Sequence, residues 1–142
     1  MKLFFDSNVI LDALSQRDTN YRSSRRLIME YVASGFVKGY ISSKQITDIY
    51  YTLRHYCSSE EERREMINVI IDTFEILPTT KSDIKYCVNS DFPDIEDALI
   101  DEICSVYCIK YLVTNDKKGF KKAKSTVFTP EEILSLLDAG LQ

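Results

Sequence analysis

The sequence predicts an α/β fold with a largely parallel sheet covered by helices on both faces. Short apolar runs of strand length alternate along the chain with longer segments whose apolar residues recur at helical spacing. This alternation is typical of parallel sheets, because neighbouring parallel strands need a crossover connection, usually a helix. The 142 residues are 44% hydrophobic and contain no internal repeat or obvious linker. They therefore fit a single domain over residues 1–142.

The first half of the chain opens with an apolar run that predicts a buried central strand. Ser7 and Asn8 follow it and supply turn and helix-cap chemistry. Gly35 suits the C-terminal end of a later helix, and Ser42-Ser43 begins the next one. In chain order, the predicted elements are strand 2–5, helix 9–14, a polar loop at 17–20, helix 21–34, strand 37–41 and helix 43–53.

The second half continues the alternation and closes with the clearest helix start in the chain. Thr129 stands at the N-cap, Pro130 at the first helical position and Glu132 three residues after the cap. In chain order, the predicted elements are a helix from Ser59 to about Phe74, strand 74–77, helix 80–89, helix 94–107, strand 111–114, strand 126–128 and the final helix.

Four aspartates follow strands or lie early in helices: Asp6, Asp48, Asp97 and Asp116. Asp6 and Asp116 each follow a predicted strand, and ligands of parallel sheets bind beyond the carboxyl ends of the strands. Several carboxylates that converge on one rim indicate a hard cation such as Mg²⁺ or Mn²⁺. Each aspartate alone can also be explained as a helix cap or as a partner of the helix macrodipole.

Other polar residues surround these aspartates in the sequence. Asn8, Thr114 and Asn115 are candidates to orient a carboxylate or a water, or they serve only in turns and caps. Asp101 lies one helical turn after Asp97 and shares its face, so it is a further candidate. A strip of lysines after Asp116 either steers phosphate groups or forms a solvated face: Lys117, Lys118, Lys121, Lys122 and Lys124.

Composition narrows the class of protein. The net charge of −4 argues against a protein that coats nucleic acid by bulk charge, but not against a local basic strip. The four cysteines lack CxxC spacing and are expected to be buried thiols rather than disulfides. No apolar run reaches the roughly 20 residues of a membrane helix, and the N-terminus lacks a signal-peptide pattern. A cytoplasmic location is expected.

Five segments, in this order and spacing, give the chain its resemblance to a known family. They are Leu3–Asp12, the helix that carries Thr47-Asp48, Asp94–Leu99, Leu112–Phe120 and Thr129–Leu134. Together they resemble a PIN domain, of the type found in VapC-type toxins and related prokaryotic proteins. The resemblance covers nearly the whole chain.

The resemblance implies a three-layer α/β/α sandwich with a mostly parallel sheet of about five strands. It implies a Mg²⁺- or Mn²⁺-dependent endoribonuclease, the toxin of a toxin–antitoxin pair, with an antitoxin protein as partner and a homodimeric assembly. Asp6, Asp97 and Asp116 would hold the metal, and Asp48 would complete the catalytic set directly or through a water. Contacts with RNA phosphates would come from Lys117, Lys118 and Lys121.

Two departures from the family pattern motivate an alternative function. Asp48 stands where the family usually has Glu, and its side chain is one methylene shorter. In the final motif, Asp116 takes the place of Asn and Gly119 the place of Asp. The alternative is a catalytically weak or inactive module that binds RNA or a protein. A phosphotransfer or phosphatase domain is a third reading, but Asp6-Ser7-Asn8 lacks the second aspartate of a haloacid-dehalogenase-type motif.

Overall fold

The computed structural model describes residues 1–16, 19 and 21–140, and within them the chain forms a five-stranded, all-parallel sheet. The strand order across the sheet is β3-β2-β1-β4-β5. The strands are β1 (Lys2–Phe5), β2 (Lys38–Ser42), β3 (Glu75–Leu77), β4 (Tyr111–Val113) and β5 (Thr126–Phe128). All of the predicted strands are confirmed to within about a residue at either end.

Helices cover both faces of this sheet. They are α1 (Ser7–Ser15), α2 (Tyr21–Arg26), a π-helix (Leu27–Val32), α3 (Ser43–Leu53), α4 (Glu60–Thr73), α5 (Lys81–Val88), α6 (Ile95–Val106), a 3₁₀-helix (Lys117–Phe120) and α7 (Pro130–Asp138). In α7, Thr129 Oγ1 accepts from Glu132 N, and Glu132 Oε2 accepts from Thr129 N, so the predicted cap is confirmed. The predicted loop at residues 17–20 falls largely on residues 17, 18 and 20, which lie outside the described residues.

Two local features differ from the prediction. The helix expected over residues 21–34 changes to wider π-helical turns at Leu27, where Ala33 N donates to Ile28 O. The wider turns let Leu27 and Val32, five residues apart, both bury their side chains. The helix α1 begins at Ser7 rather than Val9, so Asp6 itself occupies the N-cap position.

Two apolar clusters, one on each face of the sheet, produce the three layers. Side chains alternate along a strand, so Leu3 and Phe5 pack with α1, α3, α4 and α7, whereas Phe4 packs with α5 and α6. The predicted α/β/α sandwich is therefore confirmed. All four cysteines are free: Cys87 and Cys104 are buried as expected, Cys57 is half-buried, and Cys108 is exposed beyond the end of α6.

The strand order brings two chain segments together at one point on the carboxyl edge of the sheet. From β1 the chain proceeds outward through β2 and β3, and it then returns to β4 on the other side of β1. Ligands of doubly wound sheets bind at such a reversal. Phe5 pairs with Val113, and Asp6 N donates to Val113 O at 2.9 Å. Asp6 and Thr114 therefore leave the sheet side by side.

Candidate active site at the carboxyl edge of the sheet

Asp6 directs its carboxylate into the strand reversal, although the backbone N–H of Ser7, the first residue of α1, also lies close enough to lower its pKa. It occupies the N-cap position of α1, but its side chain makes no capping hydrogen bond. Instead, Thr114 Oγ1 donates to Asp6 Oδ2 at 2.8 Å. Burial raises the pKa of Asp6, although the hydrogen bond from Thr114 opposes this, and the charge of Asp116 raises it further. A side-chain cap of α1 therefore does not explain the placement of Asp6.

Asp97 is also free of a capping role. The N-cap of α6 is Asp94, whose Oδ1 accepts from Glu96 N at 2.9 Å. Burial first, and then the charges of Asp6, Asp94, Asp116 and Glu96, raise the pKa of Asp97 to about 7. Asp6 and Asp97 line one cavity, and the charges of Asp6 and Asp116 both contribute to the raised pKa of Asp97, although the three residues come from separate parts of the chain.

Asp116 is the exposed member of the group. Its Oδ1 accepts from Lys118 N at 3.2 Å, so it caps the short 3₁₀-helix in addition to facing the other two carboxylates. The capping explanation therefore accounts for part of its placement. Its charge still raises the pKa of both Asp6 and Asp97, so it lies near both.

Asp48 lies on α3, and it lines a cavity of about 320 Å³ together with Asp6 and Asp97. Lys44 Nζ lies 2.6 Å from Asp48 Oδ2 and 2.8 Å from Glu96 Oε1. The sequence analysis identified neither Lys44 nor Glu96. Lys44 and Asp48 are four residues apart on one helix, and this spacing is the signal that would have suggested the pair.

Thr114 is the polar centre behind the carboxylates, and it is completely buried. Its hydroxyl oxygen accepts from Asp116 N at 3.0 Å and from Asn8 Nδ2 at 3.3 Å while its proton goes to Asp6. Asn8 Oδ1 accepts from Asn115 N at 3.2 Å. The side chain of Asn115 points elsewhere, because its Nδ2 donates to Asp12 Oδ2 at 2.6 Å.

Replacing Thr114 with Val is expected to lower the free energy of unfolding by about 1–3 kcal/mol. The reason is that Asp116 N and Asn8 Nδ2 would lose the hydroxyl oxygen that accepts their hydrogen bonds. Thr114→Ser keeps the hydroxyl group and serves as the matched control, with a smaller loss. Urea unfolding measures both variants. Equal stability of the Val and Ser variants would contradict the role assigned to the hydroxyl group.

The lysine strip does not face the acidic cavity as a unit. Lys117 Nζ lies 3.0 Å from Glu132 Oε2 and is thereby held against α7. Lys118 and Lys121 are exposed, and their contact with RNA phosphates stays a prediction. Lys122 and Lys124 line a different cavity of about 690 Å³ between α5 and α6, which contains none of the four candidate aspartates.

Asp101 does not join the site. It is 3% exposed, and its carboxylate accepts from Lys124 N at 3.0 Å, from Ser125 N at 3.1 Å and from Ser125 Oγ at 2.9 Å. It therefore anchors the loop that leads into β5. The structure thus does not support Asp101 as a further candidate, because its carboxylate is taken up by the backbone and side chain of residues 124 and 125.

Gly119 lies directly against Asp97. A Cβ atom built on Gly119 would collide with Asp97 Oδ2. The departure from the family motif at this position therefore bears on the site itself. The carboxylate of Asp97 occupies space that a side chain at position 119 would otherwise need.

Replacing Gly119 with Ala is expected to displace the carboxylate of Asp97 and to weaken Mn²⁺ binding by on the order of tenfold. Thermal stability should change little, because the obstructing atom is the end of a side chain and not backbone. Titration calorimetry measures the affinity, with the exposed Lys118→Ala as control. Unchanged Mn²⁺ affinity in Gly119→Ala would show that the position of Asp97 does not matter for the metal.

The donor set suits a hard divalent cation bound partly through water. Within the described residues, no group of three or more His, Cys, Asp or Glu side chains already converges closely enough to hold a metal ion. Mg²⁺ typically keeps several waters and needs only one or two direct carboxylates. Asp6 and Asp97 supply such oxygens, and burial first, then the charges of neighbouring carboxylates, raises the pKa of both, so a cation bound between them would favour their charged forms.

A parallel α/β/α sandwich with carboxylates at its strand reversal defines a class of protein with an acidic catalytic or ligand-binding site. A PIN domain family model matches residues 2–118, and the chain belongs to the PIN domain family. Among the helices described, none is both long and apolar enough to cross a membrane.

Individual relatives agree with this assignment. The chain is 28% identical over 138 residues to Ribonuclease VapC1 of Aquifex aeolicus (strain VF5), a match that covers 92% of each chain. The structure of VapBC2 from Rickettsia felis bound to a promoter DNA fragment matches with a TM-score of 0.68 and 17% identity, covering 91% of this chain and 98% of that one. VapC20 of Mycobacterium tuberculosis, described as a Sarcin-Ricin loop cleaving toxin, matches with a TM-score of 0.67 and 11% identity, covering 82% and 92%. These two structures share the fold.

Proposed function

We propose that the protein is a divalent-metal-dependent endoribonuclease and the toxin of a toxin–antitoxin pair. Its site would consist of Asp6, Asp97 and Asp116, with Asp48 as the fourth carboxylate on the facing wall. The observation that carries the proposal is the shared environment of Asp6 and Asp97 at the strand reversal, where burial and mutual repulsion raise the pKa of Asp97 to about 7. Carboxylates held together at such a cost are typical of functional sites.

The relatives support the same function. The curated relative, similar along nearly its whole length, is named a ribonuclease. A solved structure with the same fold is described as a Sarcin-Ricin loop cleaving toxin. These names concern those proteins, and the present chain shares with them the fold and family that would carry this chemistry.

Each residue of the site has a definite task in this proposal. Asp6, Asp97 and Asp116 would hold Mg²⁺ or Mn²⁺, which when bound neutralises phosphate charge and lowers the pKa of a water. Thr114 fixes Asp6 Oδ2 and the backbone of Asp116 at the same time, so two of the three carboxylates keep a set spacing. Asn8 Nδ2 donates a hydrogen bond to Thr114 Oγ1 and so helps to hold this hydroxyl group in place.

An antitoxin protein is the partner in this proposal. A small apolar cavity of about 150 Å³ lies between α1, the helices at 21–32 and α4, with Met29 63% exposed and Val69 57% exposed at its rim. Apolar side chains exposed beside a cavity favour contact with another protein. A solved structure of the same fold is described as a toxin-antitoxin complex from Klebsiella pneumoniae. A homodimer and a cytoplasmic location stay predictions.

The alternative is a module of the same fold that binds RNA or a protein without cutting. Two observations favour it: Asp48 forms an ion pair with Lys44, and Gly119 stands where the family motif often has Asp. Tight RNA binding with no turnover across several metals and substrates would support this alternative.

Incubation of the purified protein with tRNA and mRNA in Mg²⁺ or Mn²⁺ tests the proposal. Cleavage that EDTA stops, and that is lost in Asp6→Asn, is the expected result. RNA binding without cleavage in either metal would instead support the alternative, a module that binds RNA and does not cut it.

A further inference from the structure

Lys44 links the two walls of the acidic cavity. Its Nζ atom lies 2.6 Å from Asp48 Oδ2 on its own helix and 2.8 Å from Glu96 Oε1 on α6. Its side chain is 36% exposed. Among the described residues that line this cavity, Lys44 is the only cation, and the lining also includes Asp6 and Asp97.

Stability does not account for this arrangement. Ion pairs between partly exposed side chains typically contribute about 0–1 kcal/mol, and all three partners are at least a third exposed. What the two carboxylates provide is position. They hold a flexible four-carbon side chain with its ammonium group at a set place beside the candidate metal ligands.

The ammonium group keeps a donor for a ligand. An ammonium has three N–H donors, and Asp48 and Glu96 account for two of them. An RNA phosphate that approaches Asp6 and Asp97 meets negative charge, and Asp48 and Glu96 together outweigh the positive charge of Lys44. What Lys44 offers the phosphate is therefore a positioned N–H donor, the one ammonium group among the described residues of this lining. The hydrogen bond between an ammonium and a phosphate oxygen is charge-assisted and hence among the stronger ones.

We propose that Lys44 binds a phosphate oxygen of RNA in this cavity, and that Asp48 and Glu96 are positioning residues for Lys44 and not ligands of the metal. The inference rests on the proposed ribonuclease function. It gives Asp48 a task that suits its short side chain, because the carboxylate has only to reach the adjacent turn of its own helix.

RNA binding in a cleavage-deficient background tests the phosphate contact. The Asp6→Asn protein, with and without Lys44→Met, is titrated against a labelled single-stranded RNA oligonucleotide at several salt concentrations. Lys44→Met is expected to raise Kd by on the order of tenfold and to reduce the slope of log K against log salt by about 0.7. Lys44→Arg keeps the charge and should retain most of the affinity.

The matched control is Lys110→Met, which removes the same charge at the opposite edge of the sheet, where Lys110 is exposed just before β4. An equal change in Kd and slope for Lys44→Met and Lys110→Met, or no change for either, would overturn the inference and leave the ribonuclease function standing. Absence of RNA binding by the Asp6→Asn parent would overturn the inference alone, and absence of cleavage by the wild-type protein would overturn the proposed function as well.

Metal affinity tests the role of Asp48 separately from activity. Titration calorimetry with Mn²⁺ compares the wild-type protein with Asp48→Asn and Asp97→Asn. Asp48→Asn is expected to keep the wild-type affinity within about twofold, whereas Asp97→Asn loses it. An equal loss of Mn²⁺ affinity in both variants would show that Asp48 is a ligand of the metal and would overturn its assignment as a positioning residue for Lys44.

Discussion

Asp97→Asn is expected to slow RNA cleavage by on the order of a thousandfold. The substitution removes one of two half-buried carboxylates that make no side-chain capping hydrogen bond, and it retains the size and shape of the side chain. Gly119 leaves no other side chain in the adjacent space to take its place. The measurement is the single-turnover rate with saturating Mn²⁺ on an RNA that the wild-type protein cleaves.

Asp72→Asn is the matched control, because Asp72 is an exposed aspartate near the end of α4 and outside the cavity. It should cleave at the wild-type rate. If Asp97→Asn retained more than about a tenth of the wild-type rate, Asp97 would not hold the metal, and the site would have to be built on other residues.

The titration of Asp97 is expected to make the metal-free protein less stable as the pH rises from about 4 to about 7. The pKa of Asp97 is about 7 in the folded protein against an ordinary value of 3.8. The folded state therefore holds a proton that the unfolded state has already released. The stability that Asp97 contributes is greatest at pH values below its ordinary pKa of 3.8. It is lost as the pH rises towards the pKa of about 7 that Asp97 has in the folded protein. The raised pKa of Asp6 acts in the same direction.

Mn²⁺ should restore this stability above neutral pH, by about 2.7 kcal/mol at a free concentration a hundred times Kd. Thermal unfolding at about pH 5 and about pH 8, with EDTA or with Mn²⁺, measures the effect. In EDTA at the higher pH, Asp97→Asn should unfold a few degrees above the wild type, and Mn²⁺ should stabilise it much less. A wild-type protein with the same pH profile as Asp97→Asn, and no response to Mn²⁺, would contradict the shared acidic environment.

The sequence was sufficient for the features that local chemistry determines. The apolar runs before Asp6 and Thr114 are strands, and the cap at Thr129 begins α7 where expected. Once the strands are taken as parallel, Asp6 and Thr114 must emerge at one edge. The position of Asp97 early in a helix made it a candidate, the family resemblance assigned it to the metal, and in the structure its pKa responds to the charges of Asp6 and Asp116.

Features that depend on contacts between distant segments could not be predicted in this way. Asp97 and Asp101 lie one turn apart on α6, so their spacing does not distinguish them. Only the packing of the 121–125 loop against α6 places its backbone N–H groups on the carboxylate of Asp101. The contact from Lys44 to Glu96 joins residues 52 positions apart. The π-helical turns after Arg26 likewise follow from burial against the sheet and not from helix propensity.

The most direct test of the acidic site is calorimetric titration of Mn²⁺ into the wild-type protein and into the double variant Asp6→Asn/Asp97→Asn. Binding by the wild type that disappears in the double variant is the expected result, because these are the two carboxylates whose raised pKa values record the shared site. Equal Mn²⁺ binding by both proteins, or none by the wild type, would contradict a metal site at the strand reversal.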